Sequence, residues 1–140
     1  MKRYLLNILL KQKVFVFNDD KGKERELASI KEIYYQNMAK CYEKIKKYDK
    51  CIDICEKAFT EIKKFHYKNQ IWLRARMYYC KCIIPSATQE DFENYKKLAY
   101  KEDFWFMYHK LSQICYRNGK IEDALLYGCK AVACKYEYEK

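Results

Sequence analysis

The feature that most constrains how this chain can fold is a pattern spelled twice, 73 residues apart (Tyr35 to Tyr108). Tyr35, Met38, Ala39 and Tyr42 recur as Tyr108, Leu111, Ser112 and Cys115, and Cys51, Cys55 and Ala58 recur downstream as Ala124, Gly128 and Ala131. In each copy the first group falls at i, i+3, i+4 and i+7, the stripe of a helix that buries one face. The second group falls at i, i+4 and i+7 and is made of small residues, so a second helix can approach the first closely. Each copy therefore predicts a helical hairpin. Internal repetition of this kind fixes the architecture before any single residue is interpreted.

Punctuation supports the hairpins. In the last copy Asn118-Gly119 separates the two helices, and glycine takes the left-handed backbone of a helix end at little cost. The first copy has Lys46 at that point, a weaker stop. Between the copies there is room for a third, degenerate unit. Residues 67–84 carry Trp72, Ala75, Tyr79 and Ile83 on one helical face, and Pro85-Ser86 then ends the helix. Thr88 followed by Asp91 reads as a capping box, opening a helix that turns Phe92, Tyr95 and Ala99 toward a core. With one Pro and three Gly in 140 residues, the chain predicts a helix-dominated fold with few tight turns.

The two segments resemble tetratricopeptide (TPR) repeats, whose pattern is W-x2-L-G-x2-Y, then A-x3-F, then a small residue and a Pro. Tyr35 stands for the Trp, Met38-Ala39 for Leu-Gly, Tyr42 for the Tyr, Cys51 for the Ala, Cys55 for the aromatic and Ala58 for the later small residue. The second copy substitutes Tyr108, Leu111, Ser112, Cys115, Ala124, Gly128 and Ala131. Neither copy has the Trp or the closing Pro, so the resemblance is to the family and not to one member. It implies an all-α fold of stacked antiparallel hairpins forming a short right-handed superhelix. The expected organisation is one domain with a partial leading helix over about 1–23 and units over about 24–64, 66–102 and 104–138.

Ahead of the first copy, residues 4–17 are apolar without a clean period and read as a helix. A short strand over residues 14–17 is the alternative, because Val and Phe favour strands. Lys11 and Lys13 interrupt this run, which argues against a signal peptide. No stretch approaches the about 20 apolar residues that span a bilayer, and the expectation is a soluble cytoplasmic protein with no membrane partner.

Eight cysteines invite a disulfide or metal reading. All of them fall in predicted helices, several on the small-residue positions of the repeat, where a buried thiol behaves like alanine. Cys51 and Cys55 share a helical face, but His66 and His109 adjoin no such pair, so packing is the expected role and metal or redox chemistry the alternative. No phosphate-binding loop, nucleophile elbow or histidine placed to activate Ser or Cys is visible, and carboxylates such as Glu32, Asp53 and Glu122 read as solvated helix residues. The chain is expected to be no enzyme, with no catalytic residues, no metal and no cofactor.

Twenty-nine Lys and Arg against nineteen Asp and Glu give a net charge of +10, which favours acidic partners. No groove-reading module for duplex DNA is present, so direct nucleic-acid binding is not expected, and a basic nucleic-acid-associated module is the alternative. The resemblance implies that the first helices of the units line a concave groove. That face carries Ile33, Gln36, Asn37, Lys40 and Lys44 in the first unit, Gln70, Arg74, Met77 and Lys81 in the middle one, and Phe106, His109, Lys110, Gln113 and Arg117 in the last. Candidate peptide-binding residues are Asn37, Lys40, Lys44, Arg74, Lys110, Gln113 and Arg117. The Asn37 amide can pair with a peptide main chain. Arg74 and Lys110 suit a carboxylate.

By resemblance the ligand is a peptide or protein segment, acidic or polar, and the module an adaptor or the sensor part of a transcriptional regulator. Peptide-pheromone receptors of bacteria and co-chaperone adaptors that hold acidic tails are the two subfamilies in view. Ile33 and Phe106 stand where co-chaperone clamp lysines are expected. An uncapped last hairpin exposing Leu126, Val132 and Tyr136 would let the chain form a homo-oligomer such as a dimer, or dock onto another protein.

Overall fold

The computed structural model describes residues 14–134. Among them a two-stranded antiparallel sheet, β1 (Val16–Asn18) and β2 (Glu24–Glu26), precedes six helices. These are α1 (Ile30–Lys44), α2 (Tyr48–Glu61), α3 (Asn69–Ile83), α4 (Gln89–Glu102), α5 (Trp105–Arg117) and α6 (Ile121–Ala133). The fold is all-α, with sequence-adjacent helices packed on one another. No helix among the described residues is long and apolar enough to cross a membrane.

The helix expected over residues 4–17 fails at its C-terminal end. Val16 pairs with Glu26 and Asn18 with Glu24 in a tight hairpin whose turn is held by the Asp19 carboxylate. That carboxylate accepts from the Lys21 and Lys23 amides at 3.0 and 2.9 Å and from Arg25 Nε at 2.9 Å. These three bonds, first of all the one from the Lys23 amide, hold the Asp19 carboxyl below its ordinary range. Residues 4–13 lie outside the described residues.

The chain forms two compact units, one ending at Met77 and one beginning at Tyr78. In the first, α1 packs along α2. Ser29 caps α1, its hydroxyl accepting from the Glu32 amide at 3.2 Å. Tyr35, Ala39, Cys51, Ile52, Cys55 and Ala58 are buried between and beneath the helices. The N-terminal half of α3 lies across this hairpin. It touches α1 through Gln36, whose amide donates to the Asn69 carbonyl at 2.7 Å, and through the Glu43–Arg76 ion pair. It touches α2 through Arg74, whose guanidinium sits 5.5 Å from the centre of the Phe59 ring.

Of the face expected on α3, Ala75 and Ile83 are buried, whereas Trp72 is exposed and Tyr79 only half-buried; Leu73, Met77 and Cys80 are buried instead of these two. Both faces of this helix carry large apolar groups, so periodicity alone does not choose between them.

In the second unit α4 opens on the expected capping box. Thr88 Oγ1 accepts from the Asp91 amide at 3.2 Å while the Asp91 carboxylate accepts from the Thr88 amide at 2.8 Å. Helix α4 packs on α5, and α5 lies along α6. Rings join the three helices edge-on, Phe92 to Tyr127 and Tyr100 to Tyr108, and the Lys130 ammonium lies 4.8 Å from the Tyr100 ring centre. Met107, Leu111, Ile114 and Cys115 fill the core.

The two hairpins share their turns bond for bond. Gly119 has φ +74° and Lys46, at the equivalent place, φ +59°. The amide after each donates back across the helix end, Lys47 to the Tyr42 carbonyl and Lys120 to the Cys115 carbonyl, both at 2.9 Å. Each pair of helices is also bridged at the same pair of positions. Cys51 Sγ donates to the Ala39 carbonyl at 3.3 Å, and Ser112 Oγ donates to the Ala124 carbonyl at 2.7 Å, the same link made in the opposite sense. The 73-residue repeat of the sequence is thus a repeat of backbone geometry.

Candidate functional site

The seven candidate residues divide between the two units, four in the first and three in the second. Asn37, Lys40 and Lys44 stand exposed on α1 in the first unit. Arg74, in the same unit, lies over the Phe59 ring. Lys110, in the second unit, places its ammonium 4.1 Å from the centre of the Tyr79 ring, and Gln113 and Arg117 are exposed on α5, with Gln113 Nε2 3.1 Å from His109 Nε2. The two cations expected to hold a carboxylate are therefore both engaged with aromatic rings. Two further groove residues are corrected. Gln36 turns to the Asn69 carbonyl, and Met77 is buried in the core.

What the second unit does form is an apolar groove of about 710 Å³ running along α5 and α6. Its floor is small: Ser112 from α5, Ala124 and Gly128 from α6. Its walls are Tyr116 on one side and Ile121, Leu125, Cys129 and Val132 on the other. A helix with residues i, i+4, i+8 and i+11 all on one side, as at 121, 125, 129 and 132, presents a continuous stripe. The stripe is open to solvent: Leu125 is 65% exposed, Tyr116 70% and Val132 85%. Water in contact with such a stripe is a standing free-energy cost that a docked apolar surface removes.

The centre of the same surface in the first hairpin is closed, while Lys40 and Glu56, at the places of Gln113 and Cys129, stay exposed. Leu125 corresponds to Ile52, which is 9% exposed, Gly128 to the fully buried Cys55, and Tyr116 to Glu43, which pairs with Arg76 of α3. Of the groove residues only Gln113 was a candidate from sequence, and Leu126 and Val132 were expected to be exposed. Tyr136 lies outside the described residues. Tyr116, Ile121, Leu125 and Cys129 were missed. Their signal was present in α6, where Ala124 to Cys129 is an unbroken run without charge, more than one buried face can use.

A second, buried cluster lies in the first unit and has a structural role. Glu32, fully buried, accepts from the His66 amide at 2.9 Å, from His66 Nδ1 at 2.9 Å and from Asn69 Nδ2 at 2.7 Å. His66 Nε2 meets Glu26 Oε2 at 3.0 Å, and Lys64 Nζ donates to the same oxygen at 2.5 Å. With a carboxylate on each ring nitrogen, His66 is held as the imidazolium, donating both ways. The bond to Glu32 first, and that to Glu26 after it, raises the His66 pKa above its ordinary value, against the effect of burial. Glu26 is correspondingly lowered, chiefly by Lys64. The cluster ties β2, α1 and the α2–α3 loop together. Glu32 is thus no solvated helix residue, as its spacing suggested, but a buried junction.

The cysteines divide by burial. Cys51, Cys55, Cys80, Cys82 and Cys115 are buried, Cys41 and Cys129 exposed, and Cys134 half-buried. Burial pushes the Cys82 thiol up to about 12 and raises that of Cys115. These five serve as packing residues. Among the described residues no three His, Cys, Asp or Glu side chains are grouped as metal ligands.

Compared with known proteins, the chain matches no protein-family model, no curated protein and no solved structure.

Proposed function

We propose that this chain is a non-catalytic protein-interaction module of TPR-like helical hairpins, an adaptor or sensor that holds a partner segment in the groove along α5 and α6. The observation that carries this reading is the open apolar stripe of Tyr116, Leu125 and Val132 over a floor of small residues. Monomeric proteins seldom leave a contiguous apolar face of this kind facing water unless something docks there. The polar residues Asn37, Lys40 and Lys44 form a secondary face on α1, suited to acidic groups of a longer partner. A cytoplasmic setting fits a chain that keeps five thiols in its packing.

The test is a selection from a random peptide display library on the wild-type chain, with Leu125→Glu and Val132→Glu as counter-targets. Both positions are exposed, so circular dichroism of the two variants is expected to match the wild type. Peptides are expected to be enriched that lose at least about tenfold in affinity on both variants. Enrichment of peptides that bind all three proteins alike would overturn the assignment of the groove.

A further inference from the structure

The groove along α5 and α6 has an internal precedent. In the first hairpin the equivalent surface is covered by a helix, residues 69–77 of α3, which buries Leu73 and Met77 at i and i+4 while reaching α1 through Arg76 and α2 through Arg74. The two hairpins have the same turns and the same inter-helix bridge, so they offer a covering element the same backbone platform. What the platform accepts is therefore visible within the chain itself.

Resting on the protein-binding reading above, we infer that the α5–α6 groove seats an amphipathic α-helix supplied by another protein, with large apolar side chains at i and i+4 and acidic residues on its flanks. Two differences between the hairpins specify this helix. The floor is lower, because Gly128 replaces Cys55, and a Cβ at Gly128 would meet only Ser112 Oγ, at 3.5 Å. The partner's central side chain is accordingly bulkier than leucine, an aromatic or methionine.

The wall is more apolar, because Tyr116 replaces Glu43, removing the acid that Arg76 meets in the first hairpin. Beside it stand the exposed Arg117 and Lys120, as Lys44 and Lys47 do in the first hairpin, so the loss of the Glu43 acid leaves this flank with basic side chains alone. A chain of net charge +10 attracts an acid-flanked partner and repels a second copy of itself, which makes a foreign helix and not a homodimer the occupant.

The probe is a fluorescein-labelled synthetic helix of about 16 residues built from Ala, Leu and Glu. It carries Leu and Phe at i and i+4 and glutamates on both flanks. Its anisotropy is followed against the full chain at about 0.15 M salt. Saturable binding in the micromolar range is expected, as an interface at the low end of size gives. Gly128→Leu, which fills the floor, and Leu125→Glu each weaken it by at least about tenfold, whereas Ile33→Glu on α1 leaves it unchanged. A lysine-flanked version of the peptide binds more weakly.

Absence of binding at about 100 µM peptide, or binding that Gly128→Leu does not affect, overturns the inference. If the display selection meanwhile yields groove-dependent peptides of extended, proline-containing sequence, the protein-binding reading stands and the helix falls. If light scattering shows a dimer that Leu125→Glu splits, the occupant is a second copy and the foreign helix is refuted.

Discussion

In the hairpin α1–α2, Ile52 is 9% exposed and a helix lies across it; 73 residues on, Leu125 holds the same place in α5–α6 and is 65% exposed. The two hairpins turn on identical hydrogen bonds and share an inter-helix bridge, so the difference does not arise in the hairpin itself. It arises, among the described residues, in what lies over each hairpin. After α2 comes a loop ending in α3, clasped by His66 to Glu32 and to the β-hairpin, whereas the surface of α6 keeps Leu125, Leu126 and Val132 toward solvent. One supersecondary unit can thus present a closed face or an open apolar one, depending on whether a helix lies over it.

The comparison can be broken most forcefully at the clasp. Glu32→Ala leaves the His66 imidazolium buried beside the orphaned Asn69 amide, and a loss of about 3–5 kcal/mol in the first unit is expected. Trp72 lies in the first unit and Trp105 in the second, so urea unfolding followed in Trp105→Phe and in Trp72→Phe backgrounds reads the two units separately. A matching loss at Trp105 would mean that the clasp serves the whole chain and not one hairpin.

Next in size is the direct exchange between equivalent sites. Ile52→Ala is expected to cost about 2–4 kcal/mol, because it opens a cavity in a closed core. Leu125→Ala should stay within about 0.5 kcal/mol of wild type, since the side chain is already in water. Equal losses at the two positions would show that the groove is not open in solution.

The third effect is one of pH. Because the folded His66 lies above its ordinary 6.5, its contribution is complete below about that pH and is lost as pH rises through the raised value. Glu26, lowered from its ordinary 4.5, acts oppositely: its contribution is present above that value and lost as pH falls through the lowered one. The first unit should therefore be most stable between these limits. Its urea midpoint should fall on going from about pH 6 to about pH 9, and His66→Gln should remove that dependence. A similar alkaline fall in the His66→Gln variant would place the titrating group elsewhere.

The smallest expected effect lies in the turns. Lys46 adopts the left-handed backbone that Gly119 takes freely, so Lys46→Gly should stabilise the first unit by roughly 0.5–1 kcal/mol, and Gly119→Ala should destabilise the second by about as much. Thermal melts of the two variants check both signs.

The α1–α2 and α5–α6 hairpins, the turn at Asn118-Gly119 and the α4 capping box were legible because each depends on neighbours in sequence: the i, i+4, i+7 stripe, a glycine at the helix end, Thr88 with Asp91. Three things were legible in part or not at all. Strand β1 was readable only as the alternative to a helix, from its Val and Phe, because both strands are three residues long and β1 is wholly exposed, which leaves no alternation to detect. The side on which α3 packs is decided by Leu73 against Trp72, both apolar, and only the tertiary partner breaks the tie. The Glu32–His66 pair is separated by 34 residues and has no local signature. For the open face of α6, the excess of apolar residues is readable in the sequence, whereas the resemblance points to the polar side chains Asn37, Arg74 and Lys110.

The uneven burial of the eight cysteines gives the molecule an internal record of its own opening. A brief pulse of alkylating reagent should mark Cys129 and Cys41 at once, with Cys134 slower because burial and the neighbouring Asp103 keep its thiol protonated. Cys51 and Cys55 will take up label only when the first unit opens, and Cys80, Cys82 and Cys115 only when the second does. Mass spectrometry of the labelled peptides would then show which half of the chain breathes first, and the disappearance of label from Cys129 alone would mark the moment a partner is seated.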